Sequence, residues 1–242
     1  MGHQIIESVV SAMSQAVPEH AIACWGKRYG HYIFGDDPRT KEKYVVTTFD
    51  ADGGAGAVKG FDGYEGATSI GALGEVNKGN VEEVEMRFPW RTVRWELAQD
   101  SAGAGKWRGA CGIHWEVENV GGDAGIATGS SDGEVVRAPG ALGGEPTPNS
   151  RSFLTRDAKT ERIRGHRLYQ LKPRDVLLKI TGGGAGVGNP AERDPELVRI
   201  DVVKEMVSVE KARETYKVVI DPETVEVDKE KTALLRAQGK QS

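Results

Sequence analysis

Four strings dense in glycine set the tightest limits on this chain: DADGGAGA at 50–57, DSAGAGKWRGACG at 100–112, APGALGGEP at 138–146 and TGGGAGVGNP at 181–190. A residue without a Cβ lets one backbone lie directly against another backbone or a ligand, and it weakens any helix or strand that contains it. Strings of this kind point away from a helical bundle and towards short strands joined by tight turns. The total of 32 glycines in 242 residues is about twice the ~7% of an ordinary chain.

Between the strings, apolar spacing marks the elements. Ile5, Ile6, Val9, Val10, Met13 and Ala16 recur at helical intervals and Pro18 stops them, which predicts a helix over 4–16. Its apolar face is too broad to stay wet, so it has to dock on something. Short strands are expected at 24–25, 32–34 and 44–49, with a turn at 36–38 between the last two. Residues 81–96 read as extended, with Val84, Met86 and Phe88 on one face and Pro89 at an edge or bulge. Ile113, Trp115 and Val117 alternate with His114, Glu116 and Glu118, as a strand with two distinct faces does. A hairpin is expected at 157–164 and a buried strand at 175–180. Helices are expected at 196–205 and 209–216, the second capped by Ser208, and a short strand at 217–220. The charged tail from Asp221 reads as a solvated helix or a frayed end. The fold class is therefore α+β: a strand-dominated, mainly antiparallel, glycine-rich body over 1–220 with an N-terminal helix and C-terminal helices, then a tail over 221–242.

The net charge of -4, without a basic stripe interleaved with aromatics, excludes a nucleic-acid surface. No apolar run approaches the ~20 residues of a membrane helix, and the first residues lack the basic start of a signal peptide. A soluble cytoplasmic protein is expected, with Cys24 and Cys111 as free buried thiols.

Each motif has a competing plain explanation. The 181–190 string follows the strand DVLLKI, but no Lys-Ser/Thr pair follows its glycines, so it is not a phosphate-cradling loop of the usual kind. A packed structural turn and a substrate-facing loop both remain open. Asp50, Asp52 and Asp62 surround a glycine-rich loop that could hold a hard cation. The twelfth position from Asp50 is Phe61, however, so the calcium-loop pattern fails. His3, His20, His31, His114 and His166 never come at metal-ligand spacing, and Ser101 lies in no nucleophile elbow. Trp90 and Trp95 flank Arg91 and Arg94, a grouping that fits an interface or a stacked cation. Taken alone, the residues describe a glycine-rich β domain without a self-contained active site.

Taken together, the strings resemble one family. Asp100 to Gly112 resembles the DSGGAGxxRGGxG segment of hydantoinase B/oxoprolinase-type proteins, and Ala138 to Pro146 resembles their PxGxxGG element. Thr181 to Ile220 resembles their closing GGGGxGDPxxRDPxxVxxDVxxGxVSxxxAxxxYGVV stretch, and DADGGAGA followed by DGYEG fits the family's middle. The likeness runs from about Val17 to Ile220, and it identifies 1–220 as the C-terminal half of a B-type subunit. The chain departs from the pattern at Ala102, Ala110, Asn189 and Lys217. Such changes suit a specialised paralogue within a larger complex.

The resemblance implies an ATP-dependent reaction shared among subunits. A hydantoinase A-type partner would bind ATP with Mg2+ or Mn2+ and activate the substrate by phosphorylation. A B-type N-terminal half, as a further partner, would carry any other divalent metal. This chain would complete the cavity, with no metal of its own. A B-type protein split in two favours carboxylation of a ketone with bicarbonate, as in acetone and acetophenone carboxylases. Hydrolysis of a hydantoin, lactam or 5-oxoproline is the alternative, and a purely structural assembly subunit is a third. Catalytic residues stay unassigned. The candidates for the cavity wall are Asp52, Gly54, Arg108, Gly183, Gly184, Gly186 and Arg193.

Overall fold

A computed structural model of the chain describes residues 2–27, 30–48, 53–67, 70–72, 79–128 and 132–238. Two antiparallel sheets form the body. The first runs in the order β2-β1-β5-β8, with β1 at His31–Asp36, β2 at Lys43–Thr48, β5 at Ala124–Ala127 and β8 at Leu168–Leu171. The second runs in the order β3-β4-β9-β6-β7, with β3 at Trp90–Leu97, β4 at Ile113–Asn119, β6 at Arg151–Arg156, β7 at Lys159–Ile163 and β9 at Val176–Ile180. Ile33, Tyr44 and Ile126 of the first sheet bury against Trp90, Trp115, Val117, Leu154 and Leu177 of the second. The Trp90 indole donates to the Tyr44 hydroxyl at 3.1 Å across this core. The fold class is thus α+β and antiparallel, as its alternation and turns require.

Local chemistry explains the elements. In β4 the alternating residues Ile113, Trp115 and Val117 are buried, as their period of two demands. Strands β6 and β7 are joined through Asp157 and Ala158, both with positive φ, the backbone of a two-residue hairpin whose twist matches its strands. Helix α1 spans Gly2–Ala16, α3 Pro195–Val203 and α4 Val209–Glu214. Ser208 caps α4 by accepting from the Lys211 amide at 3.1 Å.

Three expectations need correction. Residues 81–87 form helix α2 (Val81–Arg87) instead of an extended run. Asn80 caps it through the Glu82 amide at 2.9 Å, and Glu83 pairs with Arg87 one turn on, at 2.6 Å. These contacts outweigh the Val84–Met86–Phe88 alternation and leave Met86 76% exposed. Phe88 then turns extended ahead of Pro89, where a helical residue would clash. Cys24 and Trp25 join no strand; the Cys24 amide donates to Pro139 O instead. Residues 217–220 hold one isolated bridge, Ile220 to Val227, because Lys217 takes a left-handed φ of 56° that breaks a strand. Phe49, expected in β2, lies outside the described residues.

The tail forms α5 at Lys229–Gln238 and packs back on the body. Thr232 is buried, and the Arg236 guanidinium donates to Arg193 O and Tyr216 O at 2.6 and 3.2 Å. Among the described residues no helix is long and apolar enough to cross a membrane.

Candidate functional site

The 181–188 string runs through the centre of the other glycine-rich segments. Its successive amides donate to Ser150 Oγ from Gly182, Ser101 O from Gly183, Ala110 O from Gly184, Cys24 O from Ala185 and Glu145 O from Gly186. A β-strand sends alternate amides to two flanking strands. Here consecutive amides reach different segments, so the core of this region is a bundle of backbones.

Only glycine permits that bundle. A Cβ on Gly184 would stand 1.8 Å from Ala55 O, one on Gly183 1.9 Å from Ala110 O, and one on Gly186 2.0 Å from Ala104 O. On Gly54 it would meet the Ala110 Cβ at 2.3 Å. These four candidates therefore touch backbone or a methyl group of their own chain, and the amides of Gly183, Gly184 and Gly186 are already engaged. Any of these three amides could serve an oxyanion only by leaving its acceptor. Asp52 lies outside the described residues.

The two candidate arginines meet in one buried network. Arg193 follows the 3-10 turn at Pro190–Glu192, where the chain swings into α3. Its Nη1 and Nη2 donate to the two oxygens of Asp62, each at 2.7 Å. Nε and Nη2 donate to Asp201 Oδ2 at 3.1 and 2.9 Å, and Nη1 also reaches Lys106 O at 3.2 Å. The Arg108 amide donates to the same Asp62 at 2.7 Å, and its Nη1 donates to Glu65 Oε1 at 3.0 Å and to Gly109 O at 2.5 Å. Arg108 Nε stands 3.3 Å from Asp201 Oδ1, a charge contact without hydrogen-bond alignment. Its Nη2 faces Met206 Sδ at 3.2 Å. Glu65 closes the ring by accepting from the Cys111 amide at 2.7 Å.

The electrostatics follow from burial and pairing together. Burial opposes both guanidinium charges, yet Asp201 beside Arg108 and Asp62 on Arg193 hold each arginine above its ordinary pKa. Burial would raise the Asp62 carboxyl, but the Arg193 fork outweighs it and holds the group below the usual range. Burial pushes the Cys111 thiol up to about 12, against the pull of Arg108. Both arginines stay charged and are held within the chain, so the network braces the 62–65 turn, the 100–112 string and α3 in one register. The Tyr216 hydroxyl is buried beside it with no hydrogen-bond partner among the described residues. The partners Glu65 and Asp201 carry only faint sequence signals: the Asp62–Glu65 spacing in DGYEG and the Arg193–Asp201 spacing in RDPELVRID.

A cleft of about 310 Å3 opens beside α1, walled by His3, Glu7, Lys27, Asp132, Glu134 and His166 among others. Glu7 pairs with Lys27, and Asp132 accepts from Gln4 at 2.9 Å. Glu134 accepts from Arg164 and the Gly165 amide at 3.0 and 2.7 Å, and His3 Nδ1 accepts from the Gly71 amide at 3.2 Å. The cleft gathers His3 and His166, far apart in sequence, around acids that already have partners. Among the described residues no group of three His, Cys, Asp or Glu converges to hold a metal ion.

Comparison with known proteins places this framework. The family model for hydantoinase B/oxoprolinase matches residues 1–190. The caprolactamase beta subunit of Pseudomonas jessenii is 32% identical over 224 residues, covering 90% of this chain and 38% of that protein. The crystal structure of the ATP-dependent caprolactamase from the same organism superposes with a TM-score of 0.82 at 30% identity, over 93% of this chain and 40% of that one. The putative D-/L-hydantoinase B-type subunit of Pseudomonas sp. (strain NS671) is 29% identical over 248 residues, covering 97% of this chain and 39% of that protein. Nucleotide-free acetone carboxylase shares the fold, with a TM-score of 0.79 at 23% identity over 88% of this chain and 33% of that one. The chain therefore spans about two fifths of the length of these curated relatives, and it belongs to the hydantoinase B/oxoprolinase family.

Proposed function

We propose that this chain is one component of a heteromeric, ATP-dependent enzyme that opens a cyclic amide. The observation that carries this reading is the likeness to the caprolactamase beta subunit, which extends over nine tenths of the chain in sequence and in fold. A hydantoinase A-type partner would bind ATP with Mg2+ or Mn2+ and phosphorylate the substrate oxygen. The B-type N-terminal half would supply the further divalent metal. This chain contributes walls. Its glycine bundle, packed on its own backbone, gives those walls a rigid backing. Arg108 and Arg193 act as positioning residues, holding the 62–65 turn against that bundle. Gly54, Gly183, Gly184 and Gly186 would support that wall from behind, since backbone and methyl groups of the same chain already occupy the space beside them.

Carboxylation of a ketone with bicarbonate stands second. A stretch of 62 residues, 26% of the chain, that is 37% identical to the acetophenone carboxylase delta subunit of Aromatoleum aromaticum supports it.

The test is turnover by the complete complex purified from its own cells. ATP-dependent ring opening of a lactam or hydantoin without bicarbonate supports the first reading. Strict dependence on bicarbonate with a ketone substrate overturns it in favour of the second. Arg108→Ala in that complex checks the positioning role: unchanged turnover with intact assembly removes it.

A further inference from the structure

Helix α1 turns Glu7 and Ser14 inward, while Gln4, Ser8 and Gln15 lie exposed along its flanks. Glu7 and Ser14 are 6% and 5% exposed, and both are bonded to the body. Glu7 pairs with Lys27. The Ser14 hydroxyl donates to Ile22 O at 2.8 Å and accepts from the Ile22 amide at 2.9 Å. Outward stand Ile5, Val9 and Met13, which are 64%, 56% and 54% exposed, with Ile6 beside them. Their spacing of four lines the three up along one side of the helix. The only Asp, Glu, Lys or Arg in the helix is Glu7, and it is buried, so the outward face has no solvated charge at all. Water-facing helices carry the opposite arrangement, with apolar residues against the core and charges outside.

We infer that this outer face of α1 is the seat of the portion of the B-type fold that these 242 residues lack. The matched span is 38% and 39% of the length of the two curated relatives, so roughly three fifths of that fold lies outside it. The inward face is already satisfied by ion pair and hydrogen bonds, which fixes the helix in place and leaves the apolar stripe for another polypeptide segment. A second copy of this chain is the competing occupant. Helix α1 is 15 residues long, about 22 Å, and two such helices side by side cover less than the ~1,200 Å2 that stable interfaces begin at. The B-type portion, laid over α1, would also border the cleft of His3, Glu7, Lys27 and Asp132, so that the cleft wall continues onto a second polypeptide segment. This assignment rests on the reading proposed above, and it names the surface through which that assembly is made.

The experiment is site-specific cross-linking in the full complex from its own cells, with a benzophenone side chain carried at position 9 in place of Val9. Cross-linked peptides are then read by mass spectrometry. Peptides from a B-type polypeptide segment outside these residues are expected. The double variant Val9→Lys with Met13→Lys should lower co-purification of that segment at least tenfold while the chain's own melting temperature is unchanged. Val45→Lys, on the exposed side of β2, should leave the complex intact. Cross-links to a second copy of this chain, cross-links only to an A-type subunit, or full retention of the complex by the double variant each overturn the assignment. The cross-link is read without any turnover assay, so the two proposals fail separately. A B-type cross-link without ring opening keeps the seat and removes the proposed reaction, and ring opening with a cross-link elsewhere does the reverse.

Discussion

Arg193 and Asp62, 131 positions apart, meet as a bidentate pair with both N–O distances at 2.7 Å. A planar fork matched to a carboxylate fixes orientation as well as distance. The pair therefore ties the entrance of α3 to the 62–65 turn. Asp201 binds the other edge of the same guanidinium and stands beside Arg108, so two arginines and two aspartates close one unit.

Loss of Arg193 should therefore cost more than a surface ion pair. Arg193→Met would leave the half-buried Asp62 and the buried Asp201 without their bidentate cation, with Arg108 still beside Asp201, so a loss of about 2–4 kcal/mol is expected, short of the ~3–5 kcal/mol of a fully buried pair. Arg193→Lys keeps the charge but loses the fork, and the expected loss is smaller. Urea denaturation of the two variants checks this. A loss under ~1 kcal/mol for Arg193→Met would show that the network is not a brace.

What could be read from the sequence was local. The period of two in Ile113, Trp115 and Val117, the hairpin at 157–164 and the Ser208 cap all act within a few residues, and the strands and helices there form as expected. Helix α2 was hidden because an alternating apolar pattern overlay a cap and an i,i+4 ion pair, and only contact energies decide between them. Arg108 and Arg193 were legible as candidates, but their shared partner Asp201 was not, because pairing across the fold leaves no periodic trace. For α1 the helix was legible and its orientation was not: the apolar stripe invites burial, and the structure buries Glu7 and Ser14 instead.

The glycine bundle makes a sharp pair of substitutions. Gly184→Ala would push a methyl group to 1.8 Å from Ala55 O and 2.6 Å from the Gly56 amide nitrogen, backbone atoms with no flexible side chain to yield. The chain should lose more than ~4 kcal/mol or fail to fold, the range reserved for severe steric conflict. Gly122→Ala meets only Asp36 O, at 3.9 Å, and should stay within ~0.5 kcal/mol of the parent. Expression and thermal melting of both variants, side by side, check the contrast.

Both thiols should be silent in the folded chain. Burial pushes Cys24 up to about 11 and Cys111 up to about 12, and the thiolate is the form that reacts. A chromogenic disulfide reagent at pH 8 is expected to label neither within minutes, and to label both once urea unfolds the chain. Rapid labelling of native Cys111 would mean that the network around Arg108 opens readily.

Acid should weaken the fold from the side of His31. Its ring is fully buried between Gly30 O at 2.9 Å and Ser152 Oγ at 3.2 Å, and burial, helped by Lys179, holds its pKa well below the ordinary value. The unfolded chain protonates this imidazole near pH ~6.5, while the folded chain keeps it neutral. Below that pH the unfolded state binds more protons, so stability is fully present above ~6.5 and is lost as the pH falls towards the depressed folded value. His31→Asn removes the titrating group and can keep a donor towards Gly30 O. It should start from a lower stability and show a flatter slope between pH ~6.5 and ~5 than the parent. Asp62 adds a second, more acidic window: its folded pKa is depressed, so its contribution persists above ~3.9 and vanishes only below. Urea midpoints measured at half-unit steps from pH 7.5 to 4.5 isolate the histidine, and equal slopes for parent and His31→Asn would rule it out as the source.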